Sequence, residues 1–435
     1  MTPGFVVAAP SSGSGKTILT LGLLRAFRDA GRAVASAKIG PDYIDPRFHE
    51  AASGRPCVNL DGWAMRRDRI LSLAARAGAG ADLVVVEGVM GLFDRPAEAG
   101  VEGAGGTADV TRTLGAPVVL VVDCGGMAQS VGALVDGFLR FDPGVEVAGV
   151  ILNRVASARH EALLRQGCAA ARVEVFGALP RSAELKTPSR HLGLVQAGEL
   201  AGLSALLAAA AGLVAAHVDL GRLEAVARPF TRPRPTAAAL APAVPPFGRR
   251  IALASDVAFR FAYPHMLEGW RAAGAVIHEF SPLADEAPIA GSDAVFLPGG
   301  YPELHAGALA AAARFRSGML AAAKAGVAIY GECGGYMTLG EGLTDADGAR
   351  HEMLGLLPLE TSFAARRLHL GYRDATLAAD GPLGPSGARC RAHEFHYATV
   401  TREGEGAPLF LLDGEKVGRA QGSVSGSFLH VIDQD

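Results

Sequence analysis

The sequence predicts an α/β protein made of two doubly wound domains. Short apolar, β-branched runs alternate with helical segments along most of the 435 residues, which is the pattern of strands covered by helices. A proline-rich stretch between residues 228 and 249 interrupts this alternation. Glycine, at 56 residues, is abundant enough to supply many tight strand-to-helix turns. We therefore expect two sheets, each with its own core.

The first half of the chain contains five candidate strands of one parallel sheet. Each is an almost continuous apolar run, as expected for a strand that helices cover on both faces. These strands are Phe5–Ala9, Val34–Ile39, Leu83–Glu87, Val118–Asp123 and Val147–Asn153. Further on, the alanine-rich stretch Leu200–Val218 has leucine and valine at helical spacing. We interpret it as a soluble helix buried on one face rather than a membrane span.

A second strand series follows the proline-rich stretch. Residues 228–248 carry repeated prolines without periodicity, so they are predicted to form an extended linker. This linker divides the chain into a domain at 1–227 and a domain at 249–435. The candidate strands of the second domain are Arg250–Ser255, Val276–Phe280, Ala294–Leu297 and Val327–Tyr330.

Bulk composition argues against several classes of partner. A net charge of −3 gives no electrostatic reason to bind nucleic acid or an anionic membrane. The five cysteines are sparse and form no C-x-x-C pair, so we expect reduced thiols and no cysteine zinc site. The N-terminus enters an apolar strand at Phe5 without a basic, cleavable leader. These features predict a cytoplasmic protein whose partners are small molecules.

A phosphate-binding loop follows the first candidate strand. The stretch Pro10-Ser-Ser-Gly-Ser-Gly-Lys-Thr17 matches the pattern G-x-x-x-x-G-K-[ST], except that Pro10 replaces the first glycine. In such a loop, backbone N–H groups surround phosphate oxygens, the lysine reaches the terminal phosphates and the hydroxyl reaches Mg²⁺. The alternative is a glycine-serine turn with a surface lysine. The predicted ATP-binding residues of the loop are Ser12, Gly13, Ser14, Gly15, Lys16 and Thr17.

Carboxylates at strand ends are candidate ligands for the metal that accompanies a nucleotide. Glu87 closes an apolar strand, and Asp42 and Asp45 follow another strand between two prolines. Mg²⁺ usually takes one or two carboxylates, so some of these acids, or Asp94 further on, are expected to position the acceptor instead. Turn chemistry beside the prolines is the alternative for Asp42 and Asp45.

Asn153 and Arg154 end a later strand of the first domain. An asparagine amide there can read the adenine edge by paired hydrogen bonds, and an arginine can stack on a base. We therefore include both residues among the predicted ATP ligands, with a polar strand cap as the alternative. Asp123, at the end of another strand, is equally ambiguous.

A cysteine on a glycine-rich turn forms the second candidate site. In Tyr330-Gly-Glu-Cys-Gly-Gly-Tyr336, a strand runs into small residues that let the backbone bend and expose Cys333 at a helix N-terminus. That position is expected to favour the thiolate, which is the nucleophile. His430, expected to close a strand near the C-terminus, is the predicted base. The alternative is a buried, unreactive cysteine.

Acyl transfer at such a cysteine also needs backbone donors for an oxyanion. The glycine pair Gly299–Gly300 follows a strand and is predicted to supply one donor, with Gly334 supplying the other. The stretch His393-Glu-Phe-His-Tyr397 has its histidines three apart rather than four. We assign no metal to it and expect a polar strand or loop that lines a pocket.

Together these motifs resemble the cobyrinic acid a,c-diamide synthase family of corrinoid biosynthesis, over essentially the whole chain. The resemblance implies a dethiobiotin synthetase-like ATP-binding domain with a P-loop, followed by a class I glutamine amidotransferase domain of the cobyric acid synthase type. The motifs that carry it are Gly40–Pro46, Glu87–Asp94, Leu297–Glu303, Gly331–Met337 and His393–Tyr397.

The resemblance also implies a reaction. ATP would phosphorylate a corrin side-chain carboxylate, and Cys333 would release ammonia from glutamine to convert the a and c acetates into amides. Asp45, Glu87 and Asp94 would carry the Mg²⁺ and acceptor contacts. Asp42 and Tyr43 would line the same site.

One position departs from the pattern of many glutaminases of this class, which place a glutamate two residues after the catalytic histidine. Here that position is Ile432. The cobyric acid synthase branch also lacks this acid. The group that orients His430 is therefore not identified, and a dyad of Cys333 and His430 is predicted.

Two questions of function stay open from the sequence. The substrate can be hydrogenobyrinic acid, cobyrinic acid or another tetrapyrrole such as a nickel sirohydrochlorin. The chain can instead be a P-loop regulatory ATPase with a degenerate amidotransferase module. Ser11 and Ser12 count against this, because such ATPases often carry an extra lysine early in the loop. The sequence also leaves open whether the chain forms a homodimer.

Overall fold

Two parallel sheets organise the chain. The computed structural model describes residues 1–182, 189–190, 193–194, 196–234, 236 and 241–434. These form two compact units, residues 1–240 and 241–435, which are described separately.

A parallel sheet with strand order β3-β2-β4-β1-β5-β6-β7 forms the centre of the first unit, and the short β10 pairs antiparallel with β1. The central strands are buried along almost their whole length because helices cover both faces. The strands are β1 (Pro3–Ala8), β2 (Val34–Ile39), β3 (Cys57–Leu60), β4 (Leu83–Glu87), β5 (Val118–Asp123), β6 (Val147–Val155), β7 (Val175–Pro180), β8 (Ser189–Arg190), β9 (Gly193–Leu194) and β10 (Arg228–Pro229).

The helices of the first unit follow the strands in alternation. They are α1 (Lys16–Asp29), α2 (Asp45–Ser53), α3 (Arg67–Ala77), α4 (Thr107–Leu114), α5 (Val131–Phe141), α6 (Ala158–Ala170), α7 (Leu203–His217) and α8 (Leu220–Val226), with a 3-10 turn at Ala197–Glu199. Because the strands are parallel, their carboxyl ends meet at one edge of the sheet. The loops after β1, β2 and β4 therefore come together there.

The second unit has a sheet of order β12-β11-β13-β14-β24-β23, parallel except for β23. Two antiparallel sheets accompany it, with orders β16-β15-β17-β20, where β15 and β17 are parallel, and β22-β21-β18-β19-β25. The strands are β11 (Arg250–Ala254), β12 (Val276–Phe280), β13 (Ala294–Leu297), β14 (Ala328–Glu332), β15 (Gly342–Thr344), β16 (Arg350–Glu352), β17 (Leu359–Ser362), β18 (His369–Leu377), β19 (Arg389–His396), β20 (Thr399–Glu403), β21 (Phe410–Leu412), β22 (Glu415–Val417), β23 (Arg419–Gln421), β24 (Val424–Ser427) and β25 (Leu429–Gln434).

The helices of the second unit are short. They are α9 (Pro264–Ala272), α10 (Ala306–Ala311), α11 (Ala313–Lys324) and α12 (Gly334–Leu339), with 3-10 turns at Pro282–Ala284 and Pro302–Leu304. Buried aromatic and aliphatic side chains such as Phe259, Phe315 and Leu339 form one core. The 3-10 turn at 302–304 directly follows the loop after β13.

The predicted two-domain α/β fold is confirmed, and the predicted strands all form, some shifted by one or two residues at an end. The strand expected to end at His430 is wrong in detail, because His430 is the second residue of β25. The antiparallel sheets and the strands β3 and β7 were not predicted. The helix predicted within Leu200–Val218 is α7, which buries Leu207 and Val214 on one face. In the described part of the chain, no helix is long and apolar enough to cross a membrane.

The predicted linker at 228–248 is attached to the neighbouring units at both ends. Arg228–Pro229 pairs with β1, and the Thr231 N–H donates to the Leu114 carbonyl over 2.7 Å. At the other end, the rings of Phe247 and Trp270 pack with centroids 4.6 Å apart. Pro235 and residues 237–240 lie outside the described residues. The domain boundaries at 227 and 249 stay a prediction.

Candidate active sites

The phosphate loop lies between β1 and α1 and borders a cavity of about 750 Å³. Gly15 caps α1 in the left-handed region, with φ 90°, a conformation that glycine adopts without strain. An ideal Cβ at Gly15 would also lie 2.4 Å from Asn153 Nδ2, so a larger residue cannot fit without displacing Asn153. The loop residues that line the cavity are Ser12, Gly13, Gly15, Lys16 and Thr17, whereas Ser14 is buried and does not line it.

Asn153 and Arg154 both hold the phosphate loop. Asn153 Nδ2 donates to the Ser14 carbonyl over 2.9 Å, and its Oδ1 accepts the Arg154 N–H. The Arg154 guanidinium donates to the Gly13 carbonyl over 3.1 Å and pairs with Asp123. Both residues line the cavity, but these bonds tie them to the loop backbone. Their predicted contacts to adenine stay a prediction.

The predicted metal ligands converge beside the loop. Thr17 Oγ1 lies 2.7 Å from Glu87 Oε1 and 3.4 Å from Asp45 Oδ2. Between the two carboxylates lies the ammonium group of Lys38, which donates to Asp45 over 2.6 Å and to Glu87 over 2.8 Å. Lys38 was not predicted as a site residue. The feature of the sequence that could have revealed it is a lysine near the end of an otherwise apolar strand, because a buried lysine needs an anionic partner.

His49 is the other residue of this site that the sequence did not reveal. Its ring, fully buried on α2, donates from Nε2 to Glu87 Oε2 over 2.7 Å, and its Nδ1 lies 3.5 Å from Cys57 Sγ. Lys38 and His49 therefore fix both oxygens of the Glu87 carboxylate. Below, Lys38, Asp45, His49 and Glu87 are called the charged cluster.

The charged cluster is buried and is held together by opposite charges. Burial opposes the ammonium form of Lys38, but Asp45 and Glu87 outweigh it and raise the lysine pKa. Burial likewise acts against the charged form of His49, but Cys57 and Glu87 raise the pKa of His49 to about 10. Burial and Asp42 raise the pKa of Asp45 to about 7, while Lys38 and His49 hold the pKa of Glu87 well below its usual range against its burial.

The remaining predicted acceptor residues are spread more widely. Asp42 lines the cavity, and its Oδ1 also accepts from the N–H groups of Ile44 and Asp45, so it takes part in turn chemistry as well. Asp94 accepts from the Gly91 N–H over 2.7 Å and is exposed. The described wall of the cavity includes neither Asp94 nor Tyr43. Their predicted roles as substrate ligands stay predictions.

In the second unit, Cys333 occupies a strained turn between β14 and α12. Its backbone has φ 46° and ψ −101°, a left-handed conformation that is costly for a residue with a side chain. The Cys333 N–H donates to the Ser427 carbonyl over 2.8 Å and so fixes the turn against β24. The thiol is 3% exposed and lies 3.7 Å from the carbonyl oxygen of Phe395.

The predicted oxyanion-hole glycines lie against this turn and against His430. An ideal Cβ at Gly334 would lie 3.0 Å from the Gly300 nitrogen, so the two backbones are in close approach. An ideal Cβ at Gly299 would lie 2.2 Å from His430 Cε1. Gly300 therefore approaches Gly334, the residue after Cys333, and Gly299 packs against the His430 ring, while the catalytic roles of all four residues stay predictions.

Glu332 lies near His430, for which the sequence identified no orienting group. Its Oε2 lies 3.7 Å from His430 Nδ1, and both side chains are 1% exposed. Its Oε1 accepts from Tyr330 Oη and the Val431 N–H, both over 3.1 Å. The acid expected from the sequence follows the histidine by two residues, whereas Glu332 directly precedes the cysteine. Below, Cys333, His430 and Glu332 are called the thiol cluster.

Burial keeps the thiol cluster neutral at neutral pH. It lowers the pKa of His430 to about 3 and raises the pKa of Glu332 to about 8. Burial, followed by the charge of Glu303, also raises the pKa of the Cys333 thiol. The expectation that the helix N-terminus favours the thiolate is therefore wrong for this resting state, because desolvation outweighs it.

The stretch His393–Tyr397 contributes to a cluster that could hold a metal. Ligand atoms of His369, Glu394 and His396 lie within 4.8 Å of one another. However, the imidazole rings of His369 and His396 are stacked at 4.5 Å and only 4° apart, so one ion cannot lie in both ring planes. Glu394 is already paired with Arg373 over 2.7 Å. We assign no metal to this cluster.

Comparison with known proteins defines the class of this chain. Residues 5–195 match the CobQ/CobB/MinD/ParA nucleotide binding domain, and residues 250–435 match the CobB/CobQ-like glutamine amidotransferase domain. The chain is therefore a glutamine amidotransferase that carries a nucleotide-binding domain.

Curated relatives narrow this class to one family. A hydrogenobyrinate a,c-diamide synthase of Brucella anthropi is 54% identical, over 99% of this chain and 98% of the relative. Proteins of the same name are 52% identical in Rhizobium meliloti, over 99% of both chains, and 54% identical in Rhodobacter capsulatus, over 99% and 98%. The chain belongs to the hydrogenobyrinate a,c-diamide synthase family, and it is a glutamine-dependent amidating ligase.

Similarity to solved structures is weaker. The structure of PurLQS from Thermotoga maritima matches with a TM-score of 0.33 and 17% identity, over 42% of this chain and 87% of that chain. This similarity carries no argument about function.

Proposed function

We propose that this chain amidates the a and c acetate carboxylates of hydrogenobyrinic acid in cobalamin biosynthesis, with ATP and glutamine as co-substrates. The observation that carries the proposal is the identity of more than half of the residues, over nearly the whole length, to relatives that bear this activity in their name. Cobyrinic acid and nickel tetrapyrroles are the competing substrates. A regulatory ATPase with a degenerate module is disfavoured, since Cys333 and His430 are both present and buried.

Carboxylate activation is assigned to the first unit. A substrate carboxylate oxygen attacks the γ-phosphorus of ATP, the bond to ADP breaks, and an acyl phosphate forms. Lys16 and the loop N–H groups hold the phosphates, while the helix N-terminus favours their negative charge. Ammonia then attacks the acyl carbon, inorganic phosphate leaves, and the amide remains.

The residues beside the loop fit a magnesium ion. The oxygens of Thr17, Asp45 and Glu87 converge, and the buried Asp45 Oδ1 has no hydrogen-bond partner among the described residues. Such oxygens are the ligands that Mg²⁺ prefers. When bound, the ion would neutralise negative charge on the phosphate oxygens. Lys38 and His49 fix the direction of the Glu87 carboxylate, which keeps its oxygens in place.

Nitrogen release is assigned to the second unit. His430 takes the thiol proton of Cys333, and the sulfur attacks the side-chain amide carbon of glutamine. Backbone N–H groups of the Gly299–Gly300 loop and Gly334 stabilise the oxyanion. The C–N bond breaks, ammonia leaves with the proton from His430, and water then hydrolyses the glutamyl thioester to glutamate. We assign to Glu332 the positioning of His430, since its carboxyl group faces Nδ1, and we assign the proton transfer to Nε2.

The test is mass spectrometry of products from hydrogenobyrinic acid and cobyrinic acid offered side by side, with ATP, Mg²⁺ and either glutamine or ammonium. We expect two successive mass decreases of about 1 Da, one per amide formed, mainly on hydrogenobyrinic acid. The Cys333→Ala variant should lose glutamine-dependent product and keep ammonium-dependent product. Preferential conversion of cobyrinic acid would contradict the assignment of hydrogenobyrinic acid as the substrate. Full glutamine-dependent activity of the variant would contradict the assignment of Cys333 as the nucleophile.

A further inference from the structure

Glu303 is a buried carboxyl group that has no role in the proposed carboxylate activation or nitrogen release. It lies in the 3-10 turn Pro302–Leu304 and is only 7% exposed. Its Oε2 atom has no hydrogen-bond partner within the described part of the chain. Burial raises the pKa of Glu303 to about 8. A buried polar atom without a partner is costly, so a ligand that supplies the partner is the natural explanation for keeping one.

The turn that carries Glu303 packs against the cysteine turn. An ideal Cβ at Gly334 would lie 2.8 Å from Pro302 Cδ, so the residue next to Cys333 touches the residue next to Glu303. Among charged groups, Glu303 opposes ionisation of the Cys333 thiol more than Glu332 or Glu394 does. The carboxyl group of Glu303 is therefore close to the sulfur that glutamine must reach.

The other two carboxyl groups near Cys333 are already engaged. Glu332 accepts from Tyr330 and Val431 and faces His430. Glu394 is paired with Arg373 and lies 3.1 Å from the His396 ring. Of these three acids, Glu303 is the one with an unpartnered oxygen in the described structure.

Glutamine brings one cation into this site. When its side-chain amide carbon meets the sulfur, its α-ammonium group is four bonds away, about 5 Å in an extended chain. A desolvated ammonium group needs an anionic acceptor nearby, since burying it alone is very unfavourable. We propose that Glu303 binds the α-ammonium group of glutamine and thereby selects the amino acid over simple amides. This inference rests on the proposed use of glutamine as nitrogen donor at Cys333.

The test compares glutamine with 4-carbamoylbutanoate, which has the same amide and carboxylate but no α-amino group. The wild-type protein should release ammonia from glutamine with a kcat/KM about 10² to 10³ times higher than from this analogue. In Glu303→Gln, the KM for glutamine should rise and the preference should fall to within a few-fold. Glu303→Asp keeps a carboxyl group, which can ionise beside the ammonium group, and should keep most of the preference. Unchanged preference in Glu303→Gln, or its complete loss in Glu303→Asp, would overturn the proposal.

Two measurements separate this proposal from the function on which it rests. Ammonium-dependent amidation, recorded on the same preparations, should be unchanged in both variants because it does not pass through the glutamine site. Its absence in the wild-type protein would contradict the proposed synthetase, whereas the analogue comparison addresses Glu303 alone. Glu405→Gln, at an exposed position of the second unit, is the matched control and should behave as the wild type.

Discussion

The two buried clusters handle charge in opposite ways. In the charged cluster, Lys38 and His49 carry positive charge and Glu87 carries negative charge before any substrate arrives. In the thiol cluster, burial pushes Cys333 and His430 toward their neutral forms. Both clusters are almost inaccessible to water, so the difference comes from their composition.

This difference follows from what each cluster must stabilise. Opposite charges in contact offset part of the free-energy cost of desolvation. They also form a rigid scaffold beside the phosphates and a metal, which are charged throughout the reaction. A thiol and an imidazole with no strong counter-charge stay neutral until a bound substrate makes proton transfer between them favourable. The first site is thus prepared in advance, whereas the second is expected to respond to glutamine.

The largest expected effect comes from breaking the charged cluster. Lys38→Met leaves Asp45 and Glu87 facing each other without the ammonium group between them, and loss of a buried partner costs about 3–5 kcal/mol. With the same loss in the transition state, amidation should fall by about 10²- to 10⁴-fold with glutamine and with ammonium alike. Product formation measured by mass spectrometry checks this. Glutaminase activity in the second unit should persist.

A fold control is needed, because the same change can unfold the first unit. Lys38→Met combined with Asp45→Asn removes one negative charge along with the positive one, so its thermal unfolding should approach that of the wild type. The double variant should still fail to amidate. Lys324→Met, at an exposed helix position, is the matched control. Normal amidation by a folded Lys38→Met protein would contradict the role of this cluster.

A smaller effect is expected from Glu332→Gln in the thiol cluster. The carboxyl group of Glu332 has a pKa of about 8, so it becomes anionic as pH rises through 8 and then stabilises the imidazolium form of His430. The kcat of wild-type glutaminase should therefore rise through this pH range. The variant should lack that rise and be slower by about 10-fold at pH 9, with a smaller deficit at pH 7.

The measurement is a pH profile of ammonia release at saturating glutamine, with Glu415→Gln as an exposed control. An identical profile in Glu332→Gln would show that Glu332 does not position His430. This kcat effect is distinct from the KM effect expected for Glu303. The two acids beside Cys333 can therefore be told apart.

The smallest effect is expected at the edge of the first site. Asn153→Ala removes the donor that holds the Ser14 carbonyl, so the phosphate loop loses one hydrogen bond. Such a bond contributes about 1 kcal/mol, which corresponds to a rise of about 5-fold in the KM for ATP. Steady-state kinetics with varied ATP check this, and the KM for glutamine should not change. An unchanged KM for ATP would mean that the loop does not depend on this bond.

The sequence predicted the elements that have a strong local signal. Strands such as Val34–Ile39 and Leu83–Glu87 are continuous apolar runs, and their bounds agree with the structure. The antiparallel sheets of the second unit were not predicted, because their strands are short or partly exposed, as in His369–Leu377, and lack continuous apolar runs. The register in which strands from distant segments pair also produces no local pattern in the sequence.

The sequence was less informative about residues that act through partners. Lys38 and His49 are ordinary residues when read alone, and only the fold brings both onto Glu87. Glu332 was overlooked because the expected acid follows the histidine, whereas this one precedes the cysteine on β14. Burial also reversed the expected state of Cys333, since desolvation depends on packing that no motif reports.

The contact between Gly299 and His430 has a practical consequence. Because an ideal Cβ at position 299 would lie 2.2 Å from His430 Cε1, a methyl group and the imidazole compete for the same volume. The size of the residue at position 299 thus decides whether the imidazole of His430 can occupy its observed position. Nitrogen supply could be disconnected from carboxylate activation at that single position, leaving a ligase fed only by external ammonium with its nucleophile still intact.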